Sequence, residues 1–153
     1  MNAEQHRRVL VVDDDADIRE LLVTVLRRRD LVVDVAAGGR EAISLLHEHS
    51  YSVVLLDLMM PDVDGFAVLE SIKLDVAVHP VVLVITAADR VRVDSLDAQR
   101  IHGVVRKPFD PLEVAEIVAA CAELRGRSKF ETMALATMLS SAPLLALLSN
   151  SRL

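Results

Sequence analysis

The chain has 153 residues, 52% of them apolar and 26% charged, which at roughly 100–200 residues per domain is one domain with little to spare. That composition excludes a disordered or fibrous chain. The net charge is −6, with three Phe, one Tyr and no Trp, so both the positive charge and the stacking surface for a nucleic-acid partner are lacking, and none is expected.

The first β-branched run, 9–12, follows Arg7 and Arg8 directly and ends in Asp13-Asp14-Asp15. No secretory leader pattern precedes it. Ile18, Leu21, Leu22, Val25 and Leu26 then recur at helical spacing. A second run covers 32–36, and Ala42, Ile43, Leu45 and Leu46 mark a second helix. The third run, 53–56, stops at Asp57 and passes through Leu58-Met59-Met60-Pro61 into Phe66, Val68, Leu69 and Ile72. The fourth run, 81–85, stops at Thr86. Helical spacing over 91–98 is the weakest in the chain, with Val93, Leu96 and Ile101 thinly spread. The fifth run, 103–105, leads to Lys107-Pro108-Phe109. Pro111 suits the first position of a last helix, which carries Leu112, Ala115, Ile117, Val118 and Cys121.

Five continuous apolar runs alternating with five helical stretches predict an α/β fold, a (βα)5 unit with a parallel sheet and right-handed crossovers. The flavodoxin-like doubly wound order 2-1-3-4-5 fits better than a dinucleotide fold, because the turn after the first strand is acidic rather than glycine-rich. A P-loop pattern is also missing. The single cysteine, Cys121, excludes an intrachain disulfide and a Cys-based zinc site; it falls in an apolar pattern and is expected to pack. A reducing, cytoplasmic setting is the default expectation. No apolar stretch reaches about 18 residues, so no membrane span is expected.

Beyond residue 127 the character changes. Ser128 and Glu131 have capping-box spacing. Phe130, Met133, Ala134, Thr137 and Met138 follow at helical intervals, Pro143 interrupts, and four leucines follow between 144 and 148. Residues 1–127 read as the domain and 128–153 as a C-terminal helical extension. This stretch leaves no room for a further DNA-binding domain, and its apolar stripe points to a possible homodimer.

In a parallel sheet all strand carboxyl ends share one edge. The order 2-1-3-4-5 makes the first and third strands neighbours at the switch point where such folds bind ligands. Asp13, Asp14 and Asp57 therefore converge, flanked by Thr86 and Lys107. Three close carboxylates need a counter-charge to stay ionised, and a hard cation with oxygen ligands, Mg²⁺, suits them. The alternative for Asp13-Asp14-Asp15 is a solvated turn capping the first helix. Asp57 is harder to explain as a solvated charge, since it follows four apolar strand residues directly.

Four motifs in order resemble the receiver domain of two-component response regulators, over about residues 8–125. They are Val9-Leu10-Val11-Val12-Asp13-Asp14-Asp15, the stretch from Val54-Leu55-Leu56-Asp57 through Asp62-Val63-Asp64-Gly65, Val84-Ile85-Thr86-Ala87, and Lys107-Pro108-Phe109. The resemblance implies that Asp57 is the phosphoacceptor, taking a phosphoryl group from the phosphohistidine of a sensor histidine kinase or phosphotransfer protein. It implies Mg²⁺ held by Asp13, Asp14, Asp57 and the Met59 backbone carbonyl. It also implies phosphoryl oxygens contacted by Thr86, Ala87 and Lys107, and a cis bond at Lys107–Pro108. Such a stand-alone receiver is a bacterial cytoplasmic signalling switch with a downstream protein partner. It is not an enzyme beyond its own phosphoryl transfer and dephosphorylation.

Two departures stand out. The family's usual switch aromatic falls at Val104, with His102 two residues away and expected on the same face, and the interval from Thr86 to Lys107 is about one residue short. Met59 and Ala88 are expected beside the hydrolytic water's approach, and neither can orient it, which implies a long-lived phosphoryl group. A degenerate receiver acting as a binding module is the main alternative. A Mg²⁺-dependent aspartyl-phosphate phosphohydrolase is a weaker one, because Met59 stands where such enzymes often place a second Asp.

Overall fold

The computed structural model describes residues 7–72, 79–88, 93, 94, 96, 97 and 99–126. Five strands form a single parallel sheet: β1 (Arg8–Val12), β2 (Val32–Ala36), β3 (Val53–Leu56), β4 (Val81–Thr86) and β5 (Gly103–Arg106). Their order is β2-β1-β3-β4-β5, the flavodoxin-like order expected from the sequence. Among the described residues four helices are complete: α1 (Ala16–Arg27), α2 (Gly39–Glu48), α3 (Gly65–Ser71) and α4 (Pro111–Gly126). Pro111 is the first residue of α4, where a missing N–H costs nothing. The helix expected over 91–98 lies largely outside the described residues, and the extension at 128–153 lies wholly outside them. Of the former, Val93 and Leu96 are described and pack on the core.

The sheet is covered on both faces, which is why its central strands read as unbroken apolar runs. Side chains alternate between the faces. Val9, Val11, Val53, Leu55, Leu83 and Ile85 pack with Leu22 and Leu26 of α1 and Val114 and Val118 of α4. Leu10, Val12, Val54, Leu56, Val82 and Val84 pack with Ala42 of α2 and Val68 and Leu69 of α3. β2 is an edge strand and departs from continuous burial: Val32 and Val35 are exposed. Cys121 is partly buried against the first of these cores, and burial pushes its thiol pKa up, which suits packing rather than reactivity.

Two stripe residues read from the sequence are exposed. Leu21 is exposed, because α1 packs through Leu22, Val25 and Leu26. Leu112 is exposed because the buried row of α4 runs through Val114, Val118 and Ala122, one residue in every four, and Leu112 lies off it.

Candidate functional site

The carboxyl ends of the strands form one edge, and four polar side chains leave them together. Asp13 follows β1, Asp57 follows β3, Thr86 ends β4 and Lys107 follows β5. The register pairs Val12 with Leu56, and the Asp57 N–H donates to the Val12 carbonyl at 2.9 Å. Asp13 and Asp57 therefore stand side by side at the switch point. Their side chains are only 3% and 5% exposed. Asp14 is exposed, yet one carboxylate oxygen from each of Asp13, Asp14 and Asp57 lies within 4.8 Å of the others.

Asp15 leaves the cluster. It is the N-cap of α1, accepting from the N–H groups of Asp17 at 2.9 Å and Ile18 at 3.2 Å. The two readings of the acidic triplet are thus divided among its residues: Asp13 and Asp14 belong to the acidic cluster, and Asp15 caps a helix. The turn is pinned by the Asp15 N–H donating to Asp13 Oδ1 at 2.9 Å and by Arg19 Nη1 donating to the Asp13 carbonyl at 2.7 Å.

Lys107, expected beside the acids, supplies a counter-charge from within the protein. Its Nζ donates to Asp13 Oδ2 at 2.7 Å and to Asp57 Oδ2 at 3.1 Å, so one ammonium bridges both buried acids. Burial alone would lower the Lys107 pKa, but the hydrogen bonds and charges of Asp13 and then Asp57 outweigh it and hold the ammonium above its ordinary value. For Asp13 the balance falls the other way. Burial raises its carboxyl above the ordinary range despite Lys107 and the Asp15 N–H, and the neighbouring Asp57 charge adds to the rise. Asp13 remains short of positive partners. Three carboxylates facing one ammonium form a hard oxygen donor set that can hold a divalent cation.

Asp57 is also fixed from behind. Its Oδ1 accepts from the Met59 N–H at 3.1 Å. Gly65, which opens α3, lies so close that a Cβ there would stand 2.3 Å from the Asp57 carbonyl oxygen. Only a glycine lets α3 approach the strand end this closely.

The remaining expected residues fall nearby with unequal access. Thr86 is fully buried, and its Oγ1 accepts from the Ala88 N–H at 3.1 Å. Ala87 is exposed and Ala88 is buried. Of the two positions expected to border an approaching water, only Met59 is open, at 46% exposure. The Lys107–Pro108 bond is cis. His102 does not reach the site. It precedes β5 at the opposite edge, where its Nδ1 accepts from the Val82 N–H at 3.1 Å and its ring faces His79. Val104 packs into the core on the α2 and α3 side. Sequence reasoning also missed Arg106, whose Nη1 donates to the Ala88 carbonyl. The available signal was a second basic residue just before Lys107, in register beside Thr86.

A family model for the response regulator receiver domain matches residues 9–119. The transcriptional regulatory protein ResD of Bacillus subtilis is 38% identical over 120 residues, covering 78% of this chain and 50% of that protein. The probable transcriptional regulator ycf27 of Guillardia theta is 34% identical over 133 residues, covering 86% and 52%. The chain thus spans about half the length of these curated relatives. Among solved structures, the response regulator TrrA of Thermotoga maritima, in complex with Mg(2+)-BeF, superposes with a TM-score of 0.64 at 32% identity over 75% of this chain and 98% of that one. The receiver domain of Francisella response regulator 1452 gives 0.69 at 27% identity over 79% and 99%.

Proposed function

We infer the function from family and site together: the chain belongs to the response regulator receiver domain family, and Asp57 takes a phosphoryl group onto its carboxylate. The observation that carries this reading is a buried strand-end carboxylate in a cluster of three acids with one ammonium between them. The donor is the phosphohistidine of a sensor histidine kinase or phosphotransfer protein. A bond forms from an Asp57 carboxylate oxygen to phosphorus as the phosphorus–nitrogen bond breaks. The electron pair returns to the imidazole, which takes up a proton.

Transfer of this kind needs positioning and neutralised charge more than covalent help from the protein. Asp57 is positioned by the Met59 N–H and by the close approach of Gly65. Lys107 already touches Asp57 and moves its donors from the carboxylates to the phosphoryl oxygens. The Thr86 hydroxyl and the loop at Ala87 contact the remaining oxygens. Asp13, Asp14 and Asp57, with the Met59 carbonyl, would hold Mg²⁺, which supplies charge neutralisation when bound. The Mg(2+)-BeF complex of TrrA supports that choice of ion.

Output passes through protein contacts. The net charge of −6 disfavours direct binding of this chain to nucleic acid, and the transcriptional roles named for ResD and ycf27 belong to those longer proteins. Among the described residues no helix is long and apolar enough to cross a membrane. Incubation with acetyl phosphate and Mg²⁺, followed by intact-mass measurement, tests the reading. One phosphoryl adduct is expected in the wild type and none in Asp57→Asn; an equal adduct in both removes Asp57 from the role.

A further inference from the structure

Ala88 lies two residues beyond β4 and is held at both ends of its peptide unit. Its N–H donates to Thr86 Oγ1 at 3.1 Å in a fully buried contact. Its carbonyl accepts from Arg106 Nη1. The two anchors are neighbours in the sheet, because the β4–β5 register pairs Thr86 with Arg106. Arg106 is exposed, and among the described residues its side chain makes no other hydrogen bond or ion pair, while Lys107 next to it points at Asp13 and Asp57. Two consecutive basic residues at the end of β5 thus serve different parts of one edge: Lys107 meets the acids, and Arg106 meets the loop that carries the Thr86 partner.

A buried hydroxyl has one proton and two lone pairs, and its direction follows the bonds it makes. The Ala88 N–H occupies one lone pair of Thr86 and leaves the proton free to be donated elsewhere. That arrangement lasts only while Ala88 stays in place, and two hydrogen bonds, its N–H to Thr86 Oγ1 and its carbonyl from Arg106 Nη1, hold its peptide unit. A guanidinium on a carbonyl is a charge-assisted hydrogen bond, stronger than a neutral one and directional.

We propose that Arg106 is a positioning residue for phosphoryl acceptance: by gripping the Ala88 carbonyl it fixes the loop after β4, and through the Ala88 N–H it aims the Thr86 hydroxyl at the incoming phosphoryl group. The proposal rests on the reading of Asp57 as phosphoacceptor and Thr86 as a phosphoryl contact. It assigns Arg106 no contact with the phosphoryl group itself. Its effect reaches the reaction through Thr86 alone.

The test is a double-mutant cycle on the full chain, with the rate of adduct formation from acetyl phosphate and Mg²⁺ as one readout and amide hydrogen exchange at Ala88 as the other. Arg106→Ala is expected to slow adduct formation about tenfold, the scale of a charge-assisted hydrogen bond, and to accelerate exchange at Ala88. Arg106→Lys, which keeps a charged donor, should recover part of both. In a Thr86→Val background, Arg106→Ala should have no further effect on the rate, since coupled residues are non-additive. Because Arg106 is exposed and outside the core, the fold is expected to survive; a thermal melt verifies it. Additive rate losses in the cycle, or unchanged exchange at Ala88, would overturn the positioning role while leaving Asp57 as phosphoacceptor. A wild-type chain that takes no phosphoryl group would overturn the reading of the site itself, and with it any part for Arg106 in transfer.

Discussion

The two edges of the sheet both contain hydrogen-bonded charges, but only one of them is balanced. At the amino edge, Arg8 Nε donates to Asp34 Oδ2 at 2.7 Å and the Tyr51 hydroxyl donates to the same oxygen at 2.8 Å, with the guanidinium 5.8 Å above the Tyr51 ring. One carboxylate there has one cation and one neutral donor. At the carboxyl edge, Asp13 and Asp57 share Lys107, and the Asp14 carboxylate lies close by with no share of it. Burial weighs differently on the two acids. Burial would raise Asp34, but the hydrogen bonds from Arg8 and then Tyr51 outweigh it and hold the carboxyl below its ordinary value of 3.8. Asp13 is held above that value by burial. Asp34 is matched by its cation, whereas the carboxyl edge sets three clustered carboxylates against one ammonium and can take more positive charge.

The largest test of that contrast is Lys107→Ala. Removing one partner from a buried ionic cluster costs about 3–5 kcal/mol, so the melting temperature in metal-free buffer should fall sharply. Added Mg²⁺ should restore most of the loss, because a cation can stand where the ammonium stood. A small loss, or one that Mg²⁺ leaves untouched, would break the account of the cluster. Asp14→Ala sharpens the same point from the exposed side. It should weaken Mg²⁺ binding by about tenfold or more, the scale of a charge-assisted contact, with little change in stability. Lys107→Ala should leave Mg²⁺ binding at least as tight as in the wild type. Titration by isothermal calorimetry separates these outcomes.

Smaller effects belong to the amino edge. Tyr51→Phe removes one donor to Asp34 and should cost about 1 kcal/mol, measured by chemical denaturation and indifferent to Mg²⁺. Asp34 also sets a pH dependence. Its carboxyl is lowered in the folded state, so the unfolded chain binds the proton first as pH falls. The stabilisation is fully present above about pH 4, where the unfolded carboxyl is ionised, and is lost as pH drops through the folded value. Asp34→Asn should flatten that part of the acid unfolding curve; an unchanged slope would mean that Arg8 and Tyr51 do not favour the ionised form.

Much of this was legible in the sequence because strand ends are marked by abrupt changes. The runs that became β1 and β3 stop at Asp13 and Asp57, and the run that became β4 ends at Thr86, so the sheet order alone brought the acids together. What was not legible depends on where side chains point once helices and loops are seated. Leu21 and Leu112 fit helical stripes by spacing, yet both lie outside the buried rows. His102 is close to Val104 in the chain but belongs to the other edge, where the Val82 N–H occupies its ring. The position of Lys107 was readable, but its span across two carboxylates was not, because a flexible four-carbon stem leaves no trace in the spacing. Arg106 gave still less signal, since its partner is a backbone carbonyl.

The central claim, that the acidic cluster at the carboxyl edge is short of positive charge and the Arg8–Asp34–Tyr51 group is not, is tested most directly by following backbone amides by NMR through a Mg²⁺ titration of the full chain. The account predicts saturable shifts at Asp13, Asp14, Asp57 and Lys107, while Arg8, Asp34 and Tyr51 stay unmoved to the end of the titration. Equal movement at both edges, or no saturable movement at the carboxyl edge, would contradict it.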